Sequence, residues 1–184
     1  MRKIKSLLIA MIGIFTIAVS CDDDFLLKEP LGQIAGPTLN NADGVEGKLI
    51  AAYRTLSGQG MNGGGTWYYD IHGWIFGSIA SDNAVKGTDA GDQPEHSFIE
   101  AYDFTTFNVH IRDKWRSVYW GQARANEVID AVAEAAESDA PVEAGRAAQI
   151  IAEARFLRAF HGLQGQLHFR NPAYVDDAAF DVND

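Results

Sequence analysis

The stretch IRDKWRSVYWGQARANEVIDAVAEAAESDAPVEAGRAAQIIAEARFLRAFHGLQGQLHF, residues 111–169, decides the fold. From Ile111 to about Glu137 the positions Ile111, Trp115, Val118, Gln122, Ala125, Ile129 and Val132 recur at helical steps, with Gln122 the one polar interruption. Ser138-Asp139-Ala140-Pro141 breaks that helix, because proline cannot continue a helix interior but suits a first turn. A second helix is therefore expected from Pro141 to about Phe169, with Ala147, Ile151, Ala154, Leu157 and Phe160 as its inner stripe. Two long amphipathic helices joined by a short loop fold back as an antiparallel hairpin. Each hides its stripe on the other, at roughly 1.5–3 kcal/mol per fully buried large side chain. The spacing does not match a tetratricopeptide consensus.

Upstream, Asn41 or Asp43 caps a shorter helix carrying Val45, Leu49, Tyr53 and Leu56, stopped by Gly58 and Gly60. Between the short helix and the hairpin lies MNGGGTWYYDIHGWIFGSIASDNAVKGTDAGDQPEH, residues 61–96. Ile71, Ile75 and Ile79 suggest a short apolar helix there, and the turn-rich stretch that follows is read as non-helical. The segment mixes aromatic rings with Gly and Asp in a way that a plain core does not. Trp67, Tyr68, Tyr69 and Trp74, with Asp70, Asp82 and Asn83 nearby, combine apolar faces with polar partners, as a sugar ring requires. Trp74 and one tyrosine equally suit scaffold core.

The chain has 184 residues, enough for one well-packed domain. Its 15 Lys and Arg stand against 25 Asp and Glu, a formal net charge of −10, and three of the basic residues lie in the first five positions. So acidic a body has no general attraction for nucleic acid or for anionic headgroups. The amino terminus runs from a basic start, MRKIK, through a largely apolar run of 13 residues, Leu7 to Val19, to the only cysteine, Cys21. That run is shorter than the roughly 20 residues needed to span a bilayer, so it reads as a secretory signal. Ala18-Val19-Ser20-Cys21 resembles the bacterial lipoprotein box, with Ala in place of the usual Leu at its first position. Cleavage before Cys21 allows lipid attachment there, and several acyl chains together hold a protein stably on a membrane. Asp22 to Asp24 then open an acidic tether. The expected organisation is a signal peptide at 1–20, a tether and linker at 21–40, and a helical domain over 41–184.

The lipoprotein box followed by CDDDFLLKEP, the helix ending IAAYRTL, the segment SDNAVKG, the run formed by Trp115, Tyr119 and Asn126, and above all EARFLRAF from Glu153 to Phe160 resemble the amino-terminal region of the SusD/RagB family. HFRNPAYVDD is similar to the strand-leading continuation of that family after the same helix; Asn83 stands where the family usually has Asp. The resemblance implies an all-α fold, mainly tetratricopeptide-like antiparallel helix pairs with long irregular insert loops, here an incomplete SusD-like domain. It also implies a lipid-anchored, surface-exposed outer-membrane protein that captures oligosaccharide or polysaccharide and passes it to a SusC-like TonB-dependent transporter barrel. The expected residues are Cys21 for lipid attachment and Trp67, Tyr68, Tyr69, Trp74, Asp82 and Asn83 for the glycan.

No catalytic residue, cofactor or metal is expected. The chain carries no GxSxG, GxxxxGKS or HExxH. His161 and His168 share a helix face without a third ligand, and Asp82, Asp89, Asp92 and Glu95 lack EF-hand spacing, so they read as a solvated acidic loop. Arg155 and Arg158 read as structural, each able to reach a carboxylate on the neighbouring helix. The alternative functions are a helical protein-interaction scaffold at the outer membrane and a glycan-cleaving enzyme.

Overall fold

The computed structural model of the protein describes residues 39–57 and 73–176. The described chain is mostly helical and contains no strand. Helix α1 (Ala42–Arg54) runs into a 3-10 turn (Thr55–Ser57), and a π-helical turn (Ile75–Ile79) leads towards the short helix α2 (Pro94–Glu100). The long helices α3 (Val109–Ala136) and α4 (Ala144–Phe169) follow.

Local chemistry sets each boundary. Asn41 caps α1, its side chain accepting from the Gly44 amide at 2.9 Å. At α3 the cap is Asn108, whose Oδ1 accepts from the His110 and Ile111 amides at 3.0 and 3.4 Å, so the helix starts two residues before Ile111. The expected start of α4 at Pro141 is displaced to Ala144, because Glu143 bends its carboxylate back onto the Arg146 amide at 2.9 Å and takes the cap position itself. The Gly58 and Gly60 stop and Ile71 lie outside the described residues. Within the stretch read as non-helical, Pro94 at the first helical position starts α2, a helix that the turn-rich sequence before it disguises.

Helices α3 and α4 run antiparallel: Lys114 meets Gln164, Gly121 meets His161 and Asn126 meets Arg158. Helix α1 packs on both. The shared core joins Val45, Leu49 and Ala52 of α1, Ala125, Val128 and Val132 of α3, and Ile150, Ala154 and Leu157 of α4. On α4 the deepest isoleucine is Ile150, with Ile151 and Ala147 half-buried, because α4 turns one broad face to two neighbours. Tyr53 remains at the surface, where its hydroxyl donates to Glu153 Oε2 at 3.0 Å. Arg146 joins that clasp, with a bidentate pair to Glu46 at 2.5 and 2.7 Å and a bond to Glu153 at 3.0 Å. Exposed as it is, the clasp sets the register of α1 on α4 more than it adds stability.

The hairpin is tightly packed at Gly121. A Cβ built there would lie 2.2 Å from three atoms of the His161 ring, so only glycine fits. His161 is fully buried, and its Nε2 lies 2.9 Å from Thr55 Oγ1. The Thr55 hydroxyl gives its single proton to the Ala52 carbonyl at 2.6 Å, so His161 must donate through Nε2–H, leaving Nδ1 as a buried lone pair without a hydrogen-bond partner. Burial, assisted by the Lys114 ammonium, pushes the imidazole down to about 4.

After α4 the chain reverses at Arg170, with φ 65°, and returns over the hairpin. Gln122 Oε1 accepts from the Val175 amide at 2.9 Å, and Asn126 Nδ2 donates to the Val175 carbonyl at 3.3 Å. Arg158 donates to Asn126 Oδ1 at 2.9 Å while its guanidinium lies over the Tyr174 ring at 5.8 Å. The polar interruption in the α3 stripe therefore binds the backbone of the returning segment. Trp115, expected in the buried stripe of α3, is 43% exposed, packing beside Tyr119 and edge-on to Phe169 of α4.

Two outcomes follow. Gly121→Ala forces His161 aside and costs about 1–3 kcal/mol, as overpacking does, read as a lower urea midpoint at unchanged slope. For His161, the folded pKa lies below the unfolded value near 6.5, so the unfolded chain takes up the proton first. The stability from its neutral burial is whole above that pH and is lost as pH falls to about 4, a change of roughly 3 kcal/mol. Urea midpoints that do not fall between pH 7 and 4.5 would contradict it.

Candidate functional site

Residues 73–108 form an irregular insert at the end of the hairpin where α3 begins and α4 finishes: Phe76 meets His168 edge-on at 5.3 Å, and His96 meets His110. Ile75 and Ile79 bury the π-helical turn. The chain then reverses, with the Ser78 carbonyl accepting from both the Asn83 and Ala84 amides at 3.1 Å and Asp82 in the left-handed region at φ 62°. Lys86 organises the acidic loop that follows, its Nζ donating to the carbonyls of Asp89 (2.7 Å) and Asp92. The expected solvated loop is thus gathered around a lysine. Among the described residues no group of three or more His, Cys, Asp and Glu could hold a metal ion.

Helix α2 is attached to the body at one seam. The His96 and His110 rings lie with centroids 4.1 Å apart and tilted by 35°, both buried. Trp74 places its ring edge-on to His96 at 5.2 Å. Beside the rings, Asn108 Nδ2 donates to the Glu95 carbonyl at 3.0 Å, so one asparagine both caps α3 and holds α2. Burial pushes His96 down, and it pushes His110 down to about 4 with help from His96 beside it.

Of the residues singled out in the sequence, Cys21, Trp67, Tyr68, Tyr69 and Asp70 lie outside the described residues. Trp74 is half-buried against His96, whereas Asp82 and Asn83 stand exposed on the turn, Asn83 Nδ2 donating to Ser81 Oγ at 2.9 Å. The structure adds rings that the sequence reading missed. Tyr102 is 69% exposed, in the left-handed region at φ 53°, and its hydroxyl donates to the Ala80 carbonyl, which fixes the ring beside the turn that bears Asp82 and Asn83. Phe98, Phe104 and Phe107 are also exposed, Phe107 at 90%. Three of the four described non-glycine residues with positive φ, Asp82, Gln93 and Tyr102, fall in the insert, and such conformations persist where surrounding contacts enforce them. The signal was available: Tyr102-Asp103-Phe104-Thr105-Thr106-Phe107 sets large rings among polar residues with neither a helical nor a strand period.

The surface can therefore offer apolar ring faces beside a carboxylate and an amide, a combination suited to binding. Elsewhere, a concavity of about 500 Å³ lies open between α1 and α3, lined in part by Asp43, Lys48, Ala51, Arg124 and Glu127. Arg124 pairs with Glu127 at 2.5 Å and lies over Trp120 at 4.6 Å, so that groove's charges are already engaged in part. None of the residues expected to meet a glycan lines it.

No protein-family model, no curated protein and no solved structure matches the chain. Over the described residues, fold and surface define a mainly helical protein whose core of three packed helices carries an irregular, aromatic-bearing insert at one end of its hairpin. No helix among the described residues is long and apolar enough to cross a membrane.

Asn108→Ala removes the α3 cap and the tie to Glu95, lowering stability by about 0.5–2 kcal/mol in urea melts. Asn108→Asp keeps the cap acceptor but loses the donor to Glu95, so it should recover most of that loss.

Proposed function

We propose that this protein is a SusD-like, cell-surface glycan-binding lipoprotein that captures oligosaccharide and passes it to a TonB-dependent outer-membrane transporter. In this reading the antiparallel helices are a tetratricopeptide-like scaffold, Cys21 carries the lipid, and the insert meets the ligand by stacking and hydrogen bonding without covalent chemistry. The observation that carries it is the exposed ring of Tyr102 held beside Asp82 and Asn83, with Phe104 nearby in sequence. A sugar presents an apolar C–H face to such a ring and hydroxyls to the carboxylate and amide. Pre-fixing the ring lowers the ordering cost of binding. The resemblance of the lipoprotein box and of EARFLRAF to the SusD/RagB family supports the location and the partner barrel.

A second reading, a helical scaffold for another protein, draws on one observation. Phe156, Leu163 and Leu167 are all exposed on α4 and recur at helical spacing.

Isothermal titration of the full chain against a panel of oligosaccharides should show heat with at least one, and Tyr102→Ala should weaken that binding about tenfold, ~1.4 kcal/mol. No heat with any glycan, with co-purification of a partner other than a transporter barrel, would favour the scaffold. A reducing-end assay on polysaccharide should yield no product. Mass spectrometry should find the mature chain starting at an acylated Cys21; an unmodified cysteine with the leader still attached would remove the lipoprotein reading.

A further inference from the structure

We infer that the stacked His96–His110 pair is an acid-sensitive latch: a proton on either ring unseats α2 from the start of α3 and slackens the insert that α2 supports. The latch itself stands on the seam geometry, and its consequence for ligand rests on the glycan-binding reading above.

The seam brings two titratable rings face to face with almost no water. Both are buried, their centroids are 4.1 Å apart, and Trp74 closes one side with its ring edge. His96 Nε2 is buried without a hydrogen-bond partner, so a proton placed there would leave a charged donor unsatisfied. A charge on one ring also faces the other ring, and two cationic imidazoles at this distance repel. The neighbouring charges are mixed. Lys86 from the acidic loop opposes protonation of His96, while Asp92 from the same loop and Glu95 of α2 favour it. At His110, Arg112 of α3 opposes protonation, while Asp113 of α3 and Glu95 favour it. Desolvation outweighs these carboxylates at both rings, and both are held below the ordinary histidine value.

The seam is also where leverage lies. Trp74 rests on His96 near the start of α2, and Tyr102 follows the end of α2 and reaches back to the Ala80 carbonyl. Helix α2 thus spaces the two aromatic positions. Its own core contribution is small, His96 and Ile99 being its buried side chains. The body of the hairpin has Val128, Ile150 and Leu157 fully buried and outlasts the seam.

Amide hydrogen exchange of the full chain without ligand, read from pH 7 to 4.5 and corrected for intrinsic rates, tests the latch. Protection of the α2 amides should fall on the order of 100-fold, as expected for a ring that titrates near 4 when seated and near 6.5 when released, while amides around Ala125 and Leu157, which lose protection only as far as His161 lowers the global stability, stay more protected than α2 at every pH. The double variant His96→Phe with His110→Phe keeps ring contact without a titrating group and should hold α2 protection constant with pH. Where that variant fails to seat α2 at pH 7, NMR titration of the wild-type imidazoles decides: both titrating well below 6.5 supports the latch, and either titrating near 6.5 overturns it. Protection in α2 that is independent of pH, or that is lost only together with the hairpin, also overturns it. A glycan that binds at pH 7 should be released on acidification by the wild type and retained by the double variant. If none binds at any pH, the functional reading fails while the exchange experiment still judges the latch.

Discussion

The contact between Gly121 and the His161 ring is the constraint on which the rest of the fold depends. With no side chain at Gly121, α3 and α4 approach until the imidazole fills the gap between them. That ring then reaches Thr55 at the end of α1, whose hydroxyl is already tied to the Ala52 carbonyl. One buried histidine therefore sets the separation of two helices and the position of a third. A larger residue at 121 would separate the stripes that hide Ala125, Val128, Ala154 and Leu157. A charge at 161 would sit at the same point with no acceptor for its second proton.

Gln122, Asn126 and Arg158 follow a different rule, because each side chain makes a hydrogen bond. Gln122 and Asn126 hold the amide and carbonyl of Val175, and Arg158 holds Asn126 and covers Tyr174. A buried amide is costly only when unpaired, and the returning backbone supplies groups that would otherwise need partners of their own. The helix-face residues Asn126 and Arg158 thus serve to lay the segment after α4 across the hairpin.

The insert contrasts with this body. Its attachment comprises a short seam of two histidines, one tryptophan edge and one asparagine, with Phe76 edge-on to His168, and beyond the seam its backbone adopts left-handed conformations at Asp82, Gln93 and Tyr102. Large rings stay exposed because the segment has too little apolar surface of its own to cover them. A stiff helical body bearing a loosely moored aromatic surface can bind without chemistry, which is the proposed use.

The sequence by itself determined the two long helices and their hairpin, since the hydrophobic period and the break after Glu137 are local signals. It also placed Val45, Leu49, Val118, Ala125, Ala154 and Leu157 inside, because a stripe at helical spacing has one face to bury. Exact starts escaped it where side chains chose between competing caps, as Glu143 did over Pro141 and Asn108 did ahead of Ile111. Of the proposed ligand surface, Asp82 and Asn83 were expected from the sequence as polar partners, while Tyr102 was not, because its position comes from a bond to Ala80 across 22 residues. Only the tertiary structure decided that His161 is buried against a glycine, that His96 meets His110, and that Gln122 binds returning backbone. The physical reason is common to all three: burial and pairing of a polar group depend on what the fold brings opposite it, and no period in the chain carries that information.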